Sequence, residues 1–375
     1  MKRLIWLRHE TKPFEQRVCL TPKACKELLE LGHDVVVEKS AARVFKDDEY
    51  SKVGCTLVET NSWISTAPLN AIIVGLKELE DEDFPLSHRH IHFAHVYKNQ
   101  IGHEKALARF LKGDGKLYDL EYLVDENDKR IAAFGVWAGF AGAALGIDLW
   151  SHKQLDRDYN ATAPLKPYAD QVAMISDIES RLKELEARPR VLVIGANGRS
   201  GKGAVKFLRA LGIEPTCWGS EDTKGQGPFS EILSYDILIN CALITQQVKP
   251  FITNELLDYE RNLTVISDVG CDPNGPCNPL PIYSDCTTMD SPSIDLRDDL
   301  TITAIDHLPS LLPKESSEDF CSQLMPYFKD FLDNNVENSP WERSLELFYE
   351  KSMELGPYEY KGEDTNAKPD TPTLM

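Results

Sequence analysis

Three glycines spaced three apart, Gly195, Gly198 and Gly201, follow the apolar run Val191-Leu192-Val193-Ile194 and lead into an amphipathic stretch reaching Leu208. This order reads as a strand buried on both faces, a glycine turn and a helix. Such a turn removes Cβ atoms where a pyrophosphate must approach backbone N–H groups, and it aims the positive end of a helix at the phosphates. The spacing is G-x-x-G-x-x-G; the commoner G-x-G-x-x-G would need glycine where Asn197 and Ser200 stand. Two readings stay open: a dinucleotide site, or a glycine loop that lets a helix pack closely on a sheet.

Titratable side chains gather at the ends of other expected strands. Arg17, Lys77 and His95 fall just beyond carboxyl ends, where open α/β sheets bind their ligands. A lysine whose pKa is lowered by burial or a nearby cation acts as a base, a histidine moves protons both ways near neutrality, and an arginine fork grips a carboxylate. The bland alternatives are a solvated lysine, a core histidine satisfied by backbone and a surface ion pair. His88, His90 and His92 alternate onto one face, which suits zinc or a polar strand approach, whereas His95 has the other parity. Cys271, Cys277 and Cys286 are the nearest thing to a cysteine cluster, without a zinc spacing.

The elements that must position these groups alternate between strand and helix. Residues 3–7 form a strand, Thr21-Pro22 opens a helix running to Gly32, and Val35–Val37, Ala71–Gly75 and Ile91–His95 are further strands. A helix over 103–112 and a strand around Leu117 follow. The small residues from Gly135 to Gly146 suit a closely packed helix that crosses between domains, and the loop 151–167 leads to a charged helix ending near Ala187. Beyond the glycine turn, Thr216–Trp218, Ile237–Cys241, Leu263–Gly270 and Thr301–Ile305 are strands, and helices 316–333 and 340–354 return to the first half. Residues 358–375 are polar, acidic and proline-containing, as expected of a mobile tail.

A chain of 375 residues suggests about two domains. Its 42% hydrophobic and 27% charged residues are those of a globular protein, and no apolar run approaches the roughly 18 residues of a membrane span. Only four apolar residues follow Met1-Lys2-Arg3, which makes them a first strand and not a signal peptide. Nine scattered cysteines argue for reduced thiols in the cytosol. The net charge of −19 argues against nucleic acid or an anionic membrane as partner. An anionic substrate then needs local arginines.

Several separated segments together resemble one family, the lysine-forming saccharopine dehydrogenases of the α-aminoadipate route, relatives of alanine dehydrogenase. They are Glu10-Thr11-Lys12-Pro13 with Arg17, Gly75-Leu76-Lys77-Glu78, Phe93-Ala94-His95 with Tyr97-Lys98, Leu117 to Glu121, Ala132 to Leu145, and Ile305 to Pro313. The resemblance implies an α/β fold of two Rossmann-like domains with parallel sheets flanking a central cleft. It places a substrate-binding domain at 1–133 plus 316–357, a dinucleotide-binding domain at 134–315 and the tail at 358–375. It further implies NAD and the reversible oxidative deamination of saccharopine to L-lysine and 2-oxoglutarate, by a cytoplasmic protein that leans towards a monomer.

By the same resemblance Lys77 and His95 are the acid–base pair, tuned by Glu78 and Glu121, and Arg17 and Arg130 hold substrate carboxylates. Gln100 and Phe134 line the substrate side, and Gly270, Cys271 and Asp272 close the cleft. The cofactor meets Gly195, Gly198, Arg199, Gly201, Thr223, Val269, Ile305, Asp306, His307 and Leu308. Two positions depart from the family pattern. Gly219 stands where an acidic residue would bind the adenosine ribose, which leaves NADP admissible unless Ser220, Glu221 or Asp222 takes over. Ser200 replaces a cysteine that in some members faces the one at Cys241, so that bridge is excluded. Competing readings are a dehydrogenase for another amino acid and keto acid, an alanine-dehydrogenase-like enzyme, and a catalytically silent cofactor-binding protein.

Overall fold

The computed structural model describes residues 2–98 and 100–355; the expected tail, 358–375, lies outside them. Apolar runs of three to five residues form parallel strands, and the amphipathic segments between them cover the faces. In the first half β1 (Leu4–Leu7), β2 (Asp34–Glu38), β3 (Thr56–Val58), β4 (Ile72–Val74), β5 (Arg89–His92) and β6 (Lys116–Asp119) make one parallel sheet in the order β3-β2-β1-β4-β5-β6. The helix α1 (Pro22–Glu30) starts where Thr21 accepts a hydrogen bond from the Ala24 N–H and Pro22 occupies the first helical position. Short helices α2 (Asp47–Lys52) and α3 (Trp63–Thr66) and the longer α4 (His103–Gly113) complete this half.

The second sheet is built from β7 (Val191–Ile194), β8 (Thr216–Trp218), β9 (Ile237–Asn240), β10 (Val265–Asp268), β11 (Ile294–Arg297) and β12 (Leu300–Thr303), in the order β11-β12-β10-β9-β7-β8. Only β11 runs antiparallel, at the edge. One face is covered by α5 (Gly135–Gln154), α6 (Gln171–Leu182) and α7 (Arg199–Ala210), and the other by loops anchored on Phe229, Ile232, Phe251 and Leu280. A four-residue helix, α8 (Ser220–Thr223), follows β8. Finally α9 (Pro313–Leu332) and α10 (Pro340–Glu354) return to the first sheet, burying Phe320, Phe328, Trp341 and Phe348.

Two expectations are corrected here. The small-residue helix α5 does not lie between the halves; from Trp137 onward it is buried in the second one, against α7. Its Gly139 faces the Ser200 carbonyl and Gly203 of α7 faces the Val136 carbonyl, so that a Cβ on either would strike backbone. Nor do His88, His90 and His92 lie on a polar approach. All three are buried, and their rings pack edge to face with each other, with Trp63 and with Phe110. Among the described residues no cluster of His, Cys, Asp or Glu is arranged to hold a metal ion, and no helix is long and apolar enough to cross a membrane.

Candidate active site

The chain leaving β4 carries Lys77 and Glu78, and the chain leaving β1 holds it in place. Glu10 accepts hydrogen bonds from the N–H groups of Leu76 (2.7 Å) and Lys77 (2.8 Å), while Arg8 donates to the Lys77 carbonyl and pairs with Glu10 at 3.5 Å. These clamps fix the backbone and leave the Lys77 amine half-buried and free to act. Burial, and next the Arg17 cation, hold the Lys77 pKa below the usual lysine value against the opposing pull of Glu15 and Glu78. Glu78 reaches across to His95, its carboxylate 3.3 Å from Nδ1, and also pairs with Lys12. Burial alone would raise Glu78, but the hydrogen bonds from His95 and Lys12 outweigh it and keep the carboxyl far below its ordinary range. His95 itself adopts φ +55, a left-handed conformation that costs a residue with a Cβ and turns the ring towards Glu78.

Arg17 has a carboxylate partner within the protein. Its Nε and Nη2 donate to the two oxygens of Glu15 at 2.8 and 2.7 Å, both residues are buried, and the guanidinium lies 4.6 Å over the Phe134 ring. One edge of the guanidinium is therefore taken by a carboxylate of the protein, and the cation lies close enough to lower the Lys77 pKa. Phe134 in turn stacks on Phe320 at 4.6 Å. Glu121 does not touch the Lys77–His95 pair; it binds Arg130 at 2.8 Å and approaches Lys98 at 3.8 Å. Arg130 is exposed, and its carbonyl accepts from Arg199 at 2.7 Å, which joins the two halves. Gln100 accepts from the Lys98 N–H and shapes the turn before α4. From the second half, His307 faces this cluster: partial desolvation, with Arg17 and Lys77 opposing nearby Asp306, lowers its pKa.

In the second half the glycine turn lies where β7 and its neighbours β8 and β9 diverge. Gly195 has φ +77, and a Cβ on Gly201 would strike the backbone of Gly195 and Ala196. Gly198 caps α7 without any side-chain hydrogen bond, so among the described residues no side chain closes the first turn of that helix. Beside it, Asp268 at the end of β10 is buried and accepts from Asn240 (2.9 Å), Tyr283 (2.7 Å) and the Gly270 N–H (3.1 Å). That network sets the course of Val269, Gly270 and Cys271, the last with φ +43. Val269 packs on Gly142, and Asp272 folds over Gly275. Ile305 pairs with Thr287, Leu308 is buried, and Asp306 and His307 stay exposed. Thr223 ends α8, and Asp222 accepts from the Gly219 N–H at 2.6 Å. A glycine cradle, an uncapped helix N-terminus and a carboxylate at the end of β8 fit a dinucleotide.

This sequence has close relatives. It is 45% identical over 368 residues to the saccharopine dehydrogenase (NAD(+), L-lysine-forming) of Emericella nidulans, covering 94% of this chain and 98% of that one. The proteins of the same name from Yarrowia lipolytica (44%, covering 93% and 98%) and Neurospora crassa (45%, covering 94% and 97%) are similarly near. The chain belongs to the L-lysine-forming saccharopine dehydrogenase family. In the wider superfamily, the alanine dehydrogenase/PNT N-terminal domain matches residues 6–141 and the C-terminal domain matches 226–346. An L-alanine dehydrogenase shares the fold with a TM-score of 0.65 at 15% identity, covering 92% of this chain and 93% of that one. A transhydrogenase from Sinorhizobium meliloti follows, with 0.56 at 18% identity, covering 88% and 94%.

In this member of the saccharopine dehydrogenase family the roles of Arg8, Glu10, Glu15 and Asp268 were not legible in the sequence. Each is a buried charge whose partner is distant in sequence or two residues away on a turn, and no periodicity marks it. The signal that could have found Glu10 and Glu15 is their type: carboxylates inside a segment that must be covered need partners. Asp319 in the second turn of α9 was not legible either; its Oδ2 is buried without a hydrogen-bond partner among the described residues, and the charges of Arg199 and Lys206 act on it.

Proposed function

We propose that this chain converts saccharopine reversibly to L-lysine and 2-oxoglutarate with NAD, using Lys77 and His95 for proton transfer. The observation that carries the reading is the joint placement of Lys77, Glu78 and His95 beyond neighbouring strands, with the buried Arg17–Glu15 pair beside the amine. A bound nicotinamide would supply the acceptor for the hydride on the carbon that bears the substrate nitrogen. The secondary amine of saccharopine must be uncharged before that hydride leaves, and Lys77, with its lowered pKa, takes its proton. His95, positioned by Glu78, moves protons during addition of water to the resulting imine and expulsion of lysine.

Arg17, of which Glu15 takes only Nε and Nη2, and Arg130, paired with Glu121 at the exposed rim, are the cations that meet substrate carboxylates in this reading. Gly195, Gly198 and Gly201 at the N-terminus of α7, together with Arg199, would hold the cofactor pyrophosphate, and Val269 and residues 305–308 would line the nicotinamide side. Asp222 supplies the carboxylate that Gly219 lacks, and this favours the unphosphorylated ribose of NAD. Nine free thiols suit a cytosolic protein, here taken as a monomer.

The test is oxidation of NADH and NADPH with 2-oxoglutarate plus lysine, set against pyruvate plus ammonia. Turnover dependent on lysine and faster with NADH is expected; turnover with pyruvate and ammonia alone would replace this reading with an alanine-dehydrogenase-like one.

A further inference from the structure

Cys271 and Cys286 are far apart in role from the proton-transfer groups, yet their sulfurs lie 3.1 Å apart. Both are held there by the same carbonyl. Cys271 Sγ donates to the Ala304 oxygen at 2.9 Å, and Thr287, next to Cys286, donates its N–H to that oxygen at 2.8 Å. Ala304 returns its own N–H to the Thr287 hydroxyl at 2.8 Å, and Thr287 bridges Ile305. The two thiols thus belong to different segments, the turn after β10 and the strip beside β12, fixed against one another by a short ladder. Cys286 is exposed, as is the distant Cys217, whereas Cys271 and Cys19, Cys25, Cys55, Cys241 and Cys321 are buried, so solvent reaches this pair through Cys286.

From this arrangement we infer that Cys271 and Cys286 are a dithiol that closes to a disulfide on exposure to a low-molecular-weight disulfide such as oxidised glutathione, and opens again with reductant. The Cys286 thiolate attacks one sulfur of the oxidant, forming a mixed disulfide and releasing one glutathione thiolate. Cys271, losing its proton to solvent, then attacks the Cys286 sulfur and expels the second glutathione. Two cysteine thiols are oxidised and one glutathione disulfide is reduced to two thiols. A bonded S–S separation is about 2.05 Å, so the sulfurs have about 1 Å to close, a distance that rotation about the Cys286 side chain can supply. Burial and the neighbouring Cys286 keep the Cys271 thiol protonated far above the usual range, which makes the second attack the slow step and one that quickens with pH. The closed form straps the turn carrying Val269 and Gly270 to the segment entering 305–308.

The test uses the full chain with oxidised glutathione, quenched in acid, unfolded, alkylated and cleaved before aspartates. Cleavage before Asp268, Asp272 and Asp285 puts Cys271, Cys277 and Cys286 on three different peptides. The expected product joins the peptides of Cys271 and Cys286, leaves Cys277 alkylated, and vanishes after dithiothreitol. Cys271→Ala should stop at glutathione on Cys286, Cys286→Ala should give neither product, and Cys277→Ala should cross-link as the wild type does. The thermal midpoint should rise by a few degrees on oxidation of the wild type and stay put in Cys271→Ala. Glutathione remaining on Cys286 in the wild type, a cross-link through Cys277, or a fall in the midpoint would each overturn the inference.

Discussion

The two sheets solve the same topological problem in opposite ways. In each, the first strand lies inside the sheet and the chain departs to opposite sides at its carboxyl end, between β1 and β4 in one and between β7 and β9 in the other. In the first sheet that point is filled with side chains. The Arg8 guanidinium lies against Gly75, and the Glu10 carboxylate takes the N–H groups of Leu76 and Lys77 that a ligand could have used. In the second sheet the same point is left to glycine and to an uncapped helix end. One half therefore presents titratable groups on a clamped backbone, and the other presents bare backbone. The fold alone does not say which half holds the dinucleotide; the side chains at the two crevices are what favours the second half.

The sharpest way to test that division is to remove the titratable half's base. Lys77→Met should lower kcat for saccharopine oxidation by about 10²- to 10⁴-fold, the range for loss of a positioned acid or base, while NADH binding measured by fluorescence titration stays near the wild-type value. Next in size is the bare-backbone half. Gly201→Ala places a Cβ against Gly195 and Ala196, so the turn must open. We expect NADH affinity to fall by at least about tenfold, some 1.4 kcal/mol, with the Lys77 chemistry intact at saturating cofactor. Equal loss of cofactor affinity in both variants would erase the distinction between the halves.

A third experiment asks whether Arg17 acts on Lys77 as well as holding substrate. Of its neighbours' charges, Arg17 lowers the Lys77 pKa more than Glu15 raises it. The double variant Arg17→Met, Glu15→Gln removes both without stranding a buried charge, and the Lys77 pKa should rise. The base must be neutral to work, so the acidic limb of the kcat/KM profile for saccharopine should move to higher pH. If instead the limb stays and only KM rises, Arg17 is a substrate ligand alone.

The elements that could be read in advance are those whose information is local. The strand at Val191–Ile194, the glycine turn and the Thr21-Pro22 helix start depend on neighbours in the chain, and the structure places them as expected. The positions of Lys77 and His95 were legible because strand ends follow from the apolar runs before them. The short strands β3 and β11 escaped because each has only three or four residues at a sheet edge, with little alternation to mark it. The local partner of Arg17 was not legible, for a deeper reason. Its type says that it will meet a carboxylate, but only the folded turn shows that the carboxylate is Glu15, two residues away. The imidazoles of β5 were misread likewise, since polarity of type suggested solvent and tertiary packing put them in the core.

A smaller effect on activity is expected where the second half positions backbone by a buried network. Tyr283→Phe deletes the 2.7 Å hydrogen bond to Asp268 but leaves the Asn240 and Gly270 donors in place. The KM for NAD should rise a few-fold, with kcat held, because the loss of one hydrogen bond to a charged group costs about 1.5–3 kcal/mol and the remaining donors absorb part of it.

No effect on catalysis at neutral pH is expected from the last contrast, which concerns stability. His90 is fully buried in the first sheet's core, and neither of its ring nitrogens has a hydrogen-bond partner. Burial, reinforced by His92, His88, Arg8 and Arg109, pushes its pKa well below the histidine value. The folded protein thus keeps His90 neutral while the unfolded chain binds a proton below about pH 6.5. Stability is then full above that pH and falls below it by about 1.4 kcal/mol per pH unit for this one group. His92, lowered in the same direction, adds its own share. In His90→Phe the aromatic contacts with Trp63 and Phe110, at 5.2 and 5.3 Å, can be kept and the proton uptake is gone. Urea unfolding at several pH values between 7 and 5 should show a shallower loss of stability in the variant, by about one proton's worth. Parallel curves would mean that the ring finds water or a proton in the folded state, and that the first core is less dry than its packing indicates.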